Sequence, residues 1–373
     1  MRATRAIIHL ENLHFNVIEI QKRLPAGTGI CVAVKADAYG HGAAKVAASV
    51  VDAGATYLAV ATVQEGVELR EAGITVPILV LSLPIPDEFP ILIEHELTPL
   101  VADGDFAVAL GQAARAMNRI VSVHLKVDTG MGRIGCMPER AADLARRIAA
   151  EKYLVQKGTV THLAVADCIT PDDIAFTHTQ LARFPSAVAA IRNAGLDPGI
   201  VHAANSGAII QYPEAAFDMA RPGIIVYGYP PSPELADKMP LKPVMELITQ
   251  IVSIKKVSAG TPVSYGRTWI APHDTCIATI PVGYGDGLLR RLSPGLKVSI
   301  NGESYPVIGR ICMDQCMVDI GLKSTAERWD EVTVFGPAPA TSSAETLAEI
   351  LDTIPYEITC GINKRVPRIY AGE

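Results

Sequence analysis

ICVAVK, residues 30–35, is the stretch on which the fold turns. An apolar run with two valines and an isoleucine leads up to a lysine, and the loop-like ADAYGHG (36–42) follows at once. A short run of this kind, bounded by glycines, reads as a buried strand. Strands buried on both faces belong to parallel sheets covered by helices. Lys35 then places an amine at the edge of a core, which is costly unless the amine is paired or used covalently. Lysine forms Schiff bases with carbonyl cofactors such as pyridoxal phosphate (PLP). A lysine that packs its stem and sends its ammonium to water is the plainer reading, and for Lys35 alone it is preferred.

Seven further runs follow in alternation: TYLAVA (56–61), PILVLS (77–82), LTPLVA (97–102), IVSVHLKV (120–127), GTVTHLA (158–164), GIVHAA (199–204) and RPGIIVYG (221–228). Helix-like stretches lie between them, such as 42–53, 64–72, 105–117, 138–149 and 172–193. Eight such runs predict an α/β fold with an N-terminal (β/α)8 TIM-type barrel, whose usual size of about 250 residues suits this segment. A doubly wound open sheet is the alternative, because periodicity alone does not close a barrel. The prolines of Tyr229-Pro230-Pro231-Ser232-Pro233, with Pro240 and Pro243, mark a connector. Beyond it come short strand-like runs, among them ELITQIVSIKKV, TCIATIPVGYGDG, LKVSINGESYPVIGRI and EVTVFG. The expectation is a barrel over 1–238 and a mostly β domain over 239–373, with an Asn301-Gly302 hairpin turn.

The 373 residues exceed one ordinary core and suit two domains. A chain 49% hydrophobic and 19% charged, with mean hydropathy +0.25, is not disordered. The net charge of −6, with scattered Lys and Arg, gives no nucleic-acid surface. No run reaches the roughly 20 apolar residues of a membrane span. The opening MRATRAIIHLENLH meets Glu11 and His14 before a signal-length apolar stretch develops. Seven dispersed cysteines, odd in number, argue for reduced thiols and a cytoplasmic setting. The nine histidines lack metal-ligand spacing, so no catalytic metal is expected.

In a barrel of this type the active site lies where strands end, and a phosphate site commonly forms from the loops after strands 7 and 8. Those segments are Asn205-Ser206-Gly207-Ala208 and Arg221-Pro222-Gly223-Ile224. Ser206 offers a hydroxyl, and the small residues let backbone N–H groups approach an anion. Lys35, at the end of strand 1, is next to strand 8 in a closed barrel. Phosphate and amine side by side suit PLP. An ordinary N-cap would explain Asn205-Ser206-Gly207 taken alone.

AVKADAYGHG (33–42), KVDTGMGRIG (126–135), ARPGI (220–224), VSYGRTW (263–269), PVGYGDG (281–287), RICMDQCMVDI (310–320), PYEI (355–358) and RVPR (365–368) resemble the alanine racemase family. The motifs occur in order across both domains. Asp37 stands where the family often has Asn, and LAVADC after His162 is a variable stretch. Neither falls on a residue with an assigned role.

The resemblance implies a PLP enzyme that interconverts L- and D-alanine, supplying D-alanine for peptidoglycan. Lys35 would hold the cofactor and act as the base on one face, with Tyr265 as the base on the other. Racemisation removes a proton from one side of Cα and returns it from the other, so two acid/base groups must flank it. A tyrosine ordinarily ionises near 10, so Tyr265 would need cationic or hydrogen-bonding neighbours. Arg221 would face the pyridine nitrogen and, staying protonated, leave that nitrogen unprotonated. Arg133 would contact the phenolic oxygen and the substrate carboxylate, and Lys126 matches a lysine that is carbamylated in many members. His162 would join the network around Arg221. Tyr39, Asn205, Ser206, Gly223, Ile224 and Tyr356 would bind cofactor, largely through its phosphate, while Tyr284 and Met313 would shape the substrate end. His41 would cap or pack the helix after strand 1. Family members place Tyr265, Tyr284 and Met313 in the partner subunit's site, which implies a head-to-tail homodimer. A serine or broad-specificity racemase, a PLP decarboxylase and a non-catalytic PLP-binding protein are the competing readings. Arg221 opposes the decarboxylase, and Tyr265 with the rest of residues 244–373 opposes the last.

Overall fold

The first strand, β1 (Arg5–His9), pairs with residues more than two hundred positions away, and this divides the chain. The computed structural model describes residues 2–372. One compact unit holds residues 14–38 and 43–241; the other holds the residues up to Leu13, residues 39–42 and those from Lys242 onward.

The first unit is built on eight strands: β2 (Gly29–Ala33), β3 (Tyr57–Val60), β4 (Ile78–Val80), β5 (Thr98–Val101), β6 (Val121–Lys126), β7 (Leu154–Val160), β8 (Ile200–His202) and β9 (Met219–Ala220). They pair in parallel in the order β8-β7-β6-β5-β4-β3-β2-β9. Hydrogen bonds flanking β8 and β9 bring the two ends of this order together. Asp218 N–H donates to the Val201 carbonyl at 2.9 Å and Arg221 N–H to the Ala204 carbonyl at 2.8 Å. The Asp218 carboxylate accepts from Val201 N–H at 2.7 Å. A near-closed barrel results. Cys31, Ala59, Leu79, Leu100, Val160 and Met219, one from each of six strands, form a buried cluster, as expected of a barrel filled by side chains.

The strand expected at 221–228 is displaced. Met219–Ala220 is the eighth strand, and Ile224–Tyr227 form a 3-10 turn. Pro222 has no N–H for a ladder. All four residues of the turn are buried, so their apolarity records burial and not strand pairing.

The second unit is mostly β. Its strands are β10 (Met245–Gln250), β11 (Ser253–Val257), β12 (Pro262–Val263), β13 (Trp269–Ile270), β14 (Thr275–Ile280), β15 (Lys297–Ile300), β16 (Glu303–Ile308), β17 (Cys316–Asp319), β18 (Glu331–Phe335) and β19 (Arg368–Ala371). With β1 they give a nine-stranded sheet of order β11-β14-β17-β16-β15-β18-β10-β1-β19, while β12 and β13 pair separately. Strand β1 is antiparallel to β10 and parallel to β19. The single boundary expected at 238/239 therefore omits a returning strand: a proline-rich connector marks a linker but not a strand that pairs across it. Asn301 and Gly302, with φ of 51° and 81°, join β15 to β16 and form the expected hairpin turn.

Because Ile8 is fully buried within β1, Ile8→Ala should cost about 2–5 kcal/mol. A urea melt followed by tryptophan fluorescence would check this, since Trp269 and Trp329 both lie in the second unit.

Candidate active site

Lys35 follows β2 at its C-terminal end. Val34 N–H still pairs with the Ala59 carbonyl at 2.8 Å. The next four residues then turn left-handed, with φ of 52°, 53°, 52° and 53° at Ala36, Asp37, Ala38 and Tyr39. For L-residues each costs about 1–2 kcal/mol, so the turn needs support. Glu65 supplies part of it: its carboxylate accepts from Ala36 N–H at 2.7 Å, Ala61 N–H at 2.7 Å and Thr62 N–H at 3.1 Å. Thr62 in turn caps the helix Val63–Glu71. Asp37 Oδ1 accepts from Ala43 N–H at 2.7 Å, a task an asparagine oxygen would also perform.

Arg221 leaves β9 almost wholly buried. Its guanidinium donates to the Thr161 carbonyl at 2.6 Å and the Ala203 carbonyl at 2.9 Å. It also meets His202 Nδ1 at 3.0 Å and His162 Nδ1 at 3.4 Å. Burial pushes Arg221 down to about 10, which leaves it cationic at neutral pH. Burial, and then the charge of Arg221, hold His162 and His202 well below the ordinary imidazole range. Lys126, Arg133 and Lys35 add to the pressure on His162. Four cations thus act on this one ring.

Lys126 ends β6 and is buried, its ammonium donating to the Val127 carbonyl at 3.0 Å. Burial and Arg221 push it down to about 7, with Asp128 opposing and Arg133 reinforcing. Arg133 is exposed on a loop that Asp128 holds by accepting from Gly130 and Gly132 N–H at 2.9 and 3.1 Å.

Asn205 caps the short helix Ser206–Gln211, with Oδ1 accepting from Ala208 N–H at 3.1 Å and Nδ2 donating to the Leu163 carbonyl at 3.0 Å. Its side chain is therefore committed to the loop. Ser206 Oγ accepts from Gly223 N–H at 2.9 Å, which joins the two segments expected to form the phosphate site. A Cβ on Gly207 would come within 2.8 Å of the Ala166 backbone. Ile224, next to Gly223, is fully buried.

The remaining candidates lie in the second unit. Tyr265, Met313 and Tyr284 are 69%, 53% and 41% exposed. Tyr265 sits on a tight turn where Ser264 has φ of 69°, and Ser264 Oγ donates to the Arg310 carbonyl at 2.7 Å. Tyr284 N–H and Gly285 N–H donate to the Cys312 and Met313 carbonyls at 3.1 and 2.8 Å, so Tyr284 and Met313 ride on loops bound to each other. Asp286, fully buried, meets Arg2 at 2.6 Å and Arg365 at 2.7 Å. Tyr39 and Tyr356 pair with ring centroids 5.6 Å apart. His41 is buried, with Nδ1 at 3.0 Å from the Tyr39 carbonyl. Among the described residues no cluster of His, Cys, Asp and Glu could hold a metal ion, and no helix is long and apolar enough to cross a membrane.

Sequence reading missed His202, His124, Glu65 and Asp286. The histidines did leave a signal, each being a polar residue inside an apolar strand run.

The family model for the alanine racemase N-terminal domain matches residues 8–231, and that for the C-terminal domain matches residues 244–370. The chain belongs to the alanine racemase family. An alanine racemase from Treponema denticola is 55% identical over 377 residues, covering 100% of this chain and 99% of that protein. The solved alanine racemase of Clostridium difficile 630 is 38% identical, with TM-score 0.94, covering 99% of this chain and 96% of that one. That of Bartonella henselae, solved with covalently bound pyridoxal phosphate, is 28% identical with TM-score 0.87, covering 99% and 100%. Alanine racemases are PLP-dependent isomerases of amino acids. The barrel residues fit that cofactor: Ser206 Oγ and Gly223 N–H join the two loops expected to hold its phosphate, and Arg221 bonds to carbonyls and ring nitrogens, with no carboxylate partner among the described residues.

Glu65→Ala would leave three N–H groups without their acceptor and should cost about 2 kcal/mol, with faster hydrogen exchange at Ala36. Lys126 has a sign that can be measured. Its amine ionises near 7 when folded and near 10.4 when unfolded, so between those values the unfolded chain binds the extra proton. Its contribution to stability should therefore rise with pH from about 7 to about 10 and be flat below. Lys126→Met should remove that rise when urea midpoints are compared across this range in bicarbonate-free buffer.

Proposed function

We propose that this chain racemises alanine through two bases, Lys35 and Tyr265, in a homodimer whose subunits complete each other's sites. The observation that carries the reading is the buried Arg221, bonded to His202 and His162 with no carboxylate partner among the described residues, together with the Ser206–Gly223 hydrogen bond that joins the two loops expected to hold a phosphate. Such a centre suits a phosphorylated cofactor and a substrate carboxylate.

Lys35 joins the cofactor through its amine. PLP, when bound, supplies the electron-withdrawing ring that makes the Cα proton labile. The Lys35 amine moves that proton on one face and the Tyr265 hydroxyl moves it on the other. Arg221 would face the pyridine nitrogen and, keeping its own proton, would leave that nitrogen unprotonated, so the ring would serve as a weaker electron sink. Reprotonation then outruns side reactions. Arg133 orients the substrate carboxylate. Ser206, Gly223 and Ile224 hold the phosphate, aided by the start of the helix that Asn205 caps and by the Tyr39–Tyr356 pair. Tyr284 and Met313 bound the space left for the substrate side chain.

Lys126 is the residue to carry a carbamate. At about 7, much of its amine is neutral at physiological pH, and that form attacks carbon dioxide. A C–N bond forms, a proton is released to solvent, and the neutral amine becomes a carbamate anion that Arg133 would balance. The exposure of Tyr265, Tyr284 and Met313 supports their use in a second subunit. The cytoplasm, where peptidoglycan precursors are assembled, is the proposed workplace.

Incubation with L-alanine in deuterated water should give loss of optical rotation and deuterium at Cα. Tyr265→Phe should lower the rate about a hundredfold or more, and unchanged turnover in both directions would overturn the two-base assignment. Labelled bicarbonate should give one carbamate signal in the 13C spectrum, absent in Lys126→Ala. Substantial activity in a demonstrably monomeric variant would refute the shared site.

A further inference from the structure

Behind Arg221 stands a chain of buried rings. Its guanidinium lies 3.0 Å from His202 Nδ1, and His202 Nε2 lies 2.8 Å from His124 Nδ1. The two rings meet edge to face, 5.0 Å between centroids, and both are fully buried.

Donor chemistry fixes every proton along this chain. A guanidinium only donates, so His202 Nδ1 accepts and the His202 proton sits on Nε2. That N–H has His124 Nδ1 as its acceptor, so the His124 proton also sits on Nε2. There the chain ends: His124 Nε2 has no hydrogen-bond partner among the described residues. Burial, with the charge of Arg221, lowers His124 to about 3, so the ring is neutral. A buried donor left unmatched is a cost the fold tolerates here.

The backbone is also arranged around this ring. The β6–β7 register shifts between Val123 and His124, an irregularity of the kind that re-aims a side chain. On the facing strand stands Gly158, where a Cβ would lie 2.6 Å from the His124 ring. Gly158 makes room for the ring, and the shift in register sets where it points.

We infer that His124 is a positioning residue: as terminal acceptor it fixes the tautomer of His202, and through it holds Arg221 aimed at the cofactor's pyridine nitrogen. Without an acceptor at His124, the His202 Nε2 proton loses its buried partner, and the guanidinium alone is left to hold the tautomer. A proton on Nδ1 would face the guanidinium donor to donor. The inference rests on the reading of Arg221 as the residue facing that nitrogen.

The test uses the full-length protein with 15N-labelled histidine, both free of PLP and loaded with it. Nitrogen shifts should show His124 and His202 neutral and protonated on Nε2 in both forms; a His202 protonated on Nδ1, or doubly protonated, overturns the inference whatever any variant does. In His124→Leu the His202 signature should be lost, PLP should dissociate about tenfold more readily, as for loss of one net hydrogen bond, and the visible band of the bound cofactor should shift. His124→Gln keeps an acceptor oxygen and should restore both. A folded His124→Leu protein with unchanged band and PLP affinity refutes the coupling. Failure of the Arg221 reading shows separately, as an Arg221→Met protein whose band and affinity match the parent.

Discussion

Everything around the barrel's site answers to one buried charge. A guanidinium taken out of water without a carboxylate is costly unless its N–H groups all find acceptors. Arg221 offsets much of this cost with the carbonyls of Thr161 and Ala203 and the ring nitrogens of His202 and His162. The charge then sets its neighbours' protonation: it lowers His162, His202, His124 and Lys126, in each case adding to the effect of burial. Three histidines are thereby kept neutral, and a lysine is brought to where it can react as an amine. A carboxylate at the same position would oppose the effect of burial on these groups, where Arg221 reinforces it.

The site residues of the second unit are held in another way. Tyr284 and Met313 expose much of their side chains, yet their backbones are locked together and tied into the ion pairs of Asp286, Arg365 and Asp314. A backbone already fixed in this way has little freedom left to lose when something is laid against it, so the ordering cost falls on the side chains alone.

Seven of the eight barrel strands lie at or overlapping the apolar runs read from the sequence, because buried parallel strands write themselves as unbroken hydrophobic segments. The eighth run failed because burial alone cannot distinguish a strand from the 3-10 turn at Ile224–Tyr227. Lys35 was legible as an amine at a strand end. The left-handed course of the next four residues was not, since Ala36, Asp37, Ala38 and Tyr39 carry no local preference for it; its hydrogen bonds come from Glu65 and other residues. His202 and His124 were hidden for a related reason: a polar ring in an apolar run gains its meaning from partners on other strands. Families of motifs shared with alanine racemases pointed to Tyr265, Tyr284 and Met313, which no periodicity would have distinguished from surface residues.

The place of β1 also bears on the order of events at the ribosome. The strand is made before the barrel, yet its two neighbours are β10 and β19, the latter spanning Arg368–Ala371. Throughout synthesis of the barrel, β1 therefore waits with its edges unpaired, and such edges invite pairing with other chains. The barrel can close on the local βα units that emerge with it, whereas the nine-stranded sheet needs a loop of several hundred residues to shut. Loop closure of that length is slow. The last pairing of this sheet would be the capture of β1 between two segments that emerge long after it.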